Sequence, residues 1–448
     1  MSFLTDQQTI NDLNLFDNQG RNSIYQLFNK TSTRGGAKIL EEMFRSPLAK
    51  YDQIKNRSET FQYFAKAKLQ FPFQEHQFDT VESYLRNVDH RTKLSSRNDS
   101  VIKTLSNMVI MDGDTSSMYH GVTVLLEIIK NFSEFLNHLE PGSLNFYQSE
   151  RTEILSILNS AALSSGLSIK PGRKLTPAEF AGYDELFRFQ LRDKIIEILS
   201  HIYKLDVYIT VAKIAVERGF IFPKAMPEGQ NEVRLEGVYH PQLDKAVPNS
   251  ITITADSNVV FLTGANMAGK STFMKSLSIA IYMAHMGFPV AAKNMQFSVL
   301  DGMFTTINLP DNLGMGASHF YVEVLRIKKI ALELRQGKNL FVLFDEMFRG
   351  TNVKDACEAT IVFTEAFAGK RNSQFVISTH IIEAGEVLQK KCGNINFVYL
   401  PTLMEGNQPV YTYSLKQGLT ADRHGMVIVK NEGILEILKS GLERMTNQ

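Results

Sequence analysis

The chain has 448 residues, of which 44% are hydrophobic and 21% charged, with 48 Lys and Arg against 47 Asp and Glu. This length suits two or three domains with real cores and excludes a disordered chain. The charge balance excludes a global positive field, so any contact with a polyanion must come from local patches.

Met1 to Asp6 has neither the basic start nor the long apolar run of a secretion signal. The two cysteines, Cys357 and Cys392, do not form the framework of a disulfide-stapled secreted protein, which points to a reducing cytoplasm. Up to about Phe220 the apolar residues recur three and four apart, as in Ile195, Ile198, Ile202 and Leu205, and this predicts an all-helical half. Basic residues cluster at Arg86, Arg91, Lys93 and Arg97, and again at Lys170, Arg173 and Lys174, where Pro171-Gly172 reads as a loop between helices. Either cluster suits a phosphate backbone or an ordinary solvated face, since Asp89 and Asp99 interrupt the first.

A break at Phe222 to Gly229 places the expected boundary near residue 230, with a helical domain over 1–230 and an α/β domain with a mostly parallel sheet over 231–448. Three runs, Val259 to Thr263, Leu340 to Phe344 and Phe375 to Ser378, are apolar nearly throughout, as strands covered on both faces should be. The apolar stretch between Lys275 and Lys293 contains Ser276, Ser278, His285, Gly287 and Pro289, so it predicts a buried helix and no membrane partner. The three strands end in Gly264, in Asp345-Glu346 and in Thr379-His380. Ligands of open α/β sheets bind beyond the carboxyl ends of the strands, so these clusters are expected to converge on one crevice.

Gly264-Ala-Asn-Met-Ala-Gly-Lys-Ser271 fits the phosphate-loop pattern between a predicted strand and a predicted helix. Gly264, Asn266, Met267, Ala268, Gly269 and Thr272 then curl backbone around the phosphates of a nucleotide, Lys270 reaches the terminal phosphates, and Ser271 serves Mg2+. Asp345 is the second magnesium residue, and Glu346, directly after it, is placed to orient or deprotonate the attacking water. His380 ends the third strand and is a candidate sensor of the γ-phosphate.

Thr263-Gly-Ala-Asn-Met-Ala-Gly-Lys-Ser-Thr272 resembles the phosphate loop of the MutS DNA mismatch repair family, and the likeness extends to Asp345-Glu-Met-Phe-Arg-Gly-Thr351 and Ser378-Thr-His380. Asp311 to Glu323 is similar to the family's signature segment, His240-Pro241 and Pro248-Asn249 to its entry into the ATPase domain, and Thr33 to Leu40, Ser46-Pro47-Leu48 and Ile54 to Arg57 to the opening of its helical core. The closing stretch of that core resembles Leu205 to Ala212.

The resemblance implies a helical core or lever domain, with its clamp reduced or absent, followed by an ABC-type P-loop ATPase domain. It implies a cytoplasmic homodimer in which Ser318 completes the other chain's ATP site, with DNA and a repair or recombination protein as partners. Ala246 stands where the family often has an aromatic residue against adenine, so the base lacks an evident stacking partner. Phe73-Gln-Glu75 has the spacing of a mismatch-wedging Phe-x-Glu but falls in the helical region, and with no separate mismatch-reading domain expected, DNA should be bound by shape and charge. A regulatory ATPase acting on a protein partner without DNA, and a phosphotransferase, are the competing readings.

Overall fold

The run around Phe261 is apolar on both faces because it becomes an interior strand of a sheet. In chain order the strands are β1 (Lys224–Met226), β2 (Val233–Val238), β3 (Asn249–Ile253), β4 (Val259–Gly264), β5 (Asn294–Ser298), β6 (Gly302–Thr306), β7 (Leu340–Asp345), β8 (Gln374–Ser378), β9 (Ile395–Leu400), β10 (Thr402–Glu405), β11 (Gln408–Tyr411) and β12 (Lys416–Gln417). This computed structural model describes residues 3–16, 23–94, 113–139, 147–160, 163, 173, 175–227, 229–265, 267–307, 319–348, 350–406, 408–420, 433 and 437.

The larger sheet runs β12-β9-β4-β8-β7-β6, with every pair parallel except β12 against β9. The three runs singled out in the sequence are therefore adjacent: β4 pairs with β8 and β8 with β7. All residues of these three strands are buried, as continuous apolar runs in a parallel sheet require. A second sheet, β1-β5-β2-β3, and the hairpin β10-β11 complete the strands. β1 lies inside the stretch expected to be a break; Pro223 and Pro227 flank it, so neither removes a hydrogen bond from the strand itself.

The chain divides into two compact units. One comprises Met1–Leu27, Phe44–Ser58 and Glu217–Gln448, and the other Phe28–Met43 and Glu59–Val216. A single cut near residue 230 therefore differs from the observed division, because two N-terminal segments belong with the sheet-bearing unit. The reason is visible at β6: Leu4 bridges Gly302, and the helix Gln7–Asp12 hydrogen-bonds to the far end of that strand. The helix Lys270–His285, buried from Phe273 onward except at Lys275, belongs to the same unit, and its Tyr282 hydroxyl donates to Phe44 O at 2.6 Å. Among the described residues no helix is long and apolar enough to cross a membrane.

The second unit is helical. The long helices Gly113–His138 and Arg192–Arg218 bring Ile128, Phe132, Ile198, Ile202 and Leu205 into one core, the face set by their 3.6-residue period. Phe73 is buried in the same cluster, 5.7 Å from the Phe78 ring, so it is a packing residue and not a wedge. A buried ion pair joins Arg188 to Asp184 through two 2.6 Å bonds. Arg188 also donates to Asn87 O and to Thr92, fixing the segment that carries Arg91 and Lys93. Asp206 accepts from the Ser32 and Thr33 amides and the Thr33 hydroxyl, and the Thr33 oxygen in turn accepts from Gly36 N in the first turn of the helix Arg34–Arg45.

Candidate functional site

β4 ends in Gly264, whose φ of +149° strains any other residue and where a Cβ would lie a tight 3.1 Å from Leu400 O. The chain then loops to Gly269, at φ +99°, where a Cβ would lie 2.9 Å from the Tyr413 ring, and Lys270 opens a 16-residue helix. Met267, at the crest of the loop, holds φ +72° and is exposed, whereas Ala268 is buried. Lys270 folds back into the loop and donates to Gly264 O at 2.7 Å and Ala265 O at 3.1 Å. Its ammonium therefore sits among backbone atoms at a helix N-terminus, where phosphate oxygens would be attracted.

From β7, two strands away, Asp345 reaches the same place, and the Ser271 hydroxyl donates to Asp345 Oδ2 at 2.8 Å. A serine oxygen and a carboxylate held together are the hard oxygen donors that Mg2+ takes, so the donor set fits that ion. Glu346 follows in a left-handed conformation at φ +55°, its N–H tied to Ser378 O of β8 at 2.8 Å. That bend turns its carboxylate toward the end of β8, where His380 Nδ1 lies 3.5 Å from Glu346 Oε2. The His380 side chain is 61% exposed and that of Glu346 only 12%, so the carboxylate is sheltered while the imidazole faces outward. Phe348, buried, also holds a positive φ of +65°, unusual for a bulky residue and a form of strain that gathers at functional turns.

The structure thus brings Gly264, Met267, Ala268, Gly269, Lys270, Ser271, Thr272, Asp345, Glu346 and His380 to the carboxyl ends of β4, β7 and β8. Asn266 and Ser318, with the rest of 308–318, lie outside the described residues, as do Arg97, Lys170 and Lys174.

One feature escaped the sequence reading. Beside the loop is a cavity of about 280 Å3 lined by His240, Ala246, Asn249, Thr272, Phe273 and Tyr413. Tyr413 is half-exposed and at φ +54°, and Asn249 fixes its backbone by donating to Tyr413 O at 2.9 Å while accepting from Leu415 N at 2.7 Å. Its ring and that of Tyr411 are 6.2 Å apart. The only signal in the sequence was the pair of aromatics in Tyr411-Thr-Tyr413, about 140 residues beyond the loop they serve.

The family model for MutS domain III matches residues 8–212, and that for MutS domain V matches residues 260–446. The chain belongs to the MutS family. The domain V match contains every site residue from Gly264 to His380, and the domain III match contains most of the helical unit. The DNA mismatch repair protein MutS of Persephonella marina is 30% identical over 258 residues, 56% of this chain and 29% of that protein. The MutS proteins of Streptococcus suis and Chlamydia muridarum are 28% and 29% identical over 58% and 61% of this chain. These matches span about a third of the length of each curated relative, 29% to 34%.

Proposed function

We propose that this MutS-family chain is an ATP-hydrolysing, DNA-binding protein of the mismatch repair type, working as a dimer through an ABC-type P-loop domain. The observation that carries the reading is the Ser271–Asp345 hydrogen bond beside Lys270, which joins the phosphate loop to the acidic end of β7. Lys270 and the loop amides bind the phosphates, and Ser271 and Asp345 hold Mg2+, which when bound neutralises charge on them. Glu346 orients and deprotonates water from its sheltered position. His380 contacts the γ-phosphate, and Ser318 acts on the other chain's site. Tyr413 takes the face of the adenine, the aromatic contact that Ala246 does not provide. Tyr413→Ala should therefore weaken ATP binding about fivefold or more, a loss of about 1 kcal/mol of ring stacking, and leave binding of inorganic triphosphate unchanged. Titration calorimetry with both ligands checks this, and equal loss of the two would remove the base from this cavity.

The protein-partner reading keeps one observation in its favour. The described residues of the basic clusters are each paired with an acid: Arg86 with Glu82, Arg91 with Asp89, Lys93 with Glu185 and Arg173 with Glu179. Exposed pairs of this kind are worth under about 1 kcal/mol, so a phosphate backbone can replace the acid at little cost. The test is ATPase activity with homoduplex, G·T duplex and four-way junction at about 50 and about 200 mM salt. We expect hydrolysis stimulated by DNA, falling steeply with salt, with a mismatch preference below about tenfold, since phosphate contacts carry no base information. Hydrolysis indifferent to all three substrates would favour the protein partner, and no hydrolysis at all would overturn the reading.

A further inference from the structure

The helix His319–Arg335 packs through a stripe whose buried positions are Glu323, Ile327, Ile330 and Leu334, spaced four, three and four residues apart. That is the period of a helix face turned to a core, and an apolar side chain is the physical default at each place. Glu323 breaks the stripe while remaining only 5% exposed. A carboxylate taken out of water where a leucine would serve lowers stability, and sequences break a local rule in this way chiefly at functional sites.

The surroundings of Glu323 say which function. It lines a cavity of about 10 Å3 together with Thr306, Phe344, Asp345, Glu346 and Phe348, at the carboxyl ends of β6 and β7. Such a volume holds about one water molecule, so the three acids that line it are close neighbours. The placement is fixed from two sides. Arg326, one turn further along the helix, donates to Thr305 O at 2.7 Å and to Thr306 Oγ1 at 3.3 Å. On the other side a Cβ at Gly350 would lie 2.6 Å from Phe320 N, and the Phe320 and Phe348 rings are 5.9 Å apart, so the first turn of the helix rests on the turn that carries Glu346. Carboxylates gathered in so sheltered a place repel one another, and a divalent cation beside them relieves the repulsion.

We propose that Glu323 is a positioning residue for the metal: a third acid beside Asp345 and Glu346, whose charge raises the affinity of the Ser271–Asp345 pair for Mg2+. This rests on the assignment of Mg2+ to that pair. The role is exercised inside one chain, since the helix, β6 and β7 belong to the same compact unit. It is also independent of base binding, because the cavity that Tyr413 lines does not include Glu323.

The test measures binding of a non-hydrolysable ATP analogue to the full chain as free Mg2+ is varied, so that turnover plays no part. In Glu323→Gln the Mg2+ concentration giving half of the metal-dependent gain in affinity should rise at least about tenfold, the scale on which residues beyond the direct ligands act on metal affinity, while affinity in EDTA stays within about twofold of wild type. Glu323→Leu should show the same shift and unfold at an equal or higher urea concentration, because leucine completes the stripe and removes a buried charge. A Glu323→Gln protein with the wild-type Mg2+ dependence would overturn the proposal. So would a Glu323→Leu protein that loses stability and loses analogue affinity equally with and without Mg2+, the mark of a purely structural role. Wild-type binding indifferent to Mg2+ would overturn the metal assignment and the role of Glu323 together, whereas Mg2+ dependence lost in Asp345→Asn but kept in Glu323→Gln would overturn the role of Glu323 alone.

Discussion

Glu346→Gln should lower ATP turnover by a factor of about 10²–10⁴ while leaving the affinity for ATP within about threefold, because a positioned general base contributes on that scale and the amide keeps the shape of the carboxylate. The geometry makes the separation sharp. The bond that fixes the turn is the Glu346 N–H to Ser378 O at 2.8 Å, a backbone contact that the substitution leaves intact. The Glu346 carboxylate lies 3.5 Å from His380 Nδ1 and takes no part in the Ser271–Asp345 bond assigned to the metal. Lys270→Ala should behave in the opposite way and weaken nucleotide binding itself, since its ammonium lies inside the loop. Single-turnover hydrolysis and equilibrium binding, measured on both variants, check the pair. A Glu346→Gln protein hydrolysing ATP at close to the wild-type rate would place the base elsewhere.

Arg188→Ala should destabilise the helical unit by about 3–5 kcal/mol, because it leaves the Asp184 carboxylate buried without its counter-charge. Both side chains are fully buried. After the substitution Asp184 would keep the Tyr84 hydroxyl at 2.9 Å and the Leu94 amide at 3.1 Å, while Asn87 O and Thr92 O would lose their donor. The double change Asp184→Asn with Arg188→Met should cost less than the single one, since it removes the stranded charge along with its partner. Urea unfolding of the three proteins, with amide exchange across Asn87 to Leu94, gives the comparison. A loss below about 1 kcal/mol for Arg188→Ala would mean that water reaches the pair, as it does in exposed ion pairs.

What the sequence made legible is what local chemistry dictates. β4, β7 and β8 were readable because strands covered on both faces must be apolar throughout, and the sheet order sets their polar ends side by side. The loop between β4 and Lys270 was readable because its glycines are required by positive φ at Gly264 and Gly269. Contacts between distant positions were not readable in this way. Asp12 and Asp206 are single acids in ordinary helical sequence, and their roles depend on partners 293 to 295 and 173 to 174 residues away. Tyr413 likewise reaches the loop only because β9 to β12 return the chain to it, and β1 has too few residues to show a period. The positive φ of Phe348 has no sequence signal, since a bulky side chain argues against that conformation.

The contact between the N-terminal stretch and β6 also sets an order of events during synthesis. Thr9 and Asp12 bond to residues 293 to 296 positions later, so at about 5–20 residues per second the ribosome needs about 15–60 s to make their seat. Through that interval Leu4, Thr9 and Asp12 have no β6 to bond, and Phe3, buried in the finished protein, waits for the Tyr282 and His285 rings it packs against. A nascent chain ending before Gly302 therefore carries this apolar segment in a form that suits a holding chaperone, and the sheet's edge is sealed by residues made long before the edge strand itself.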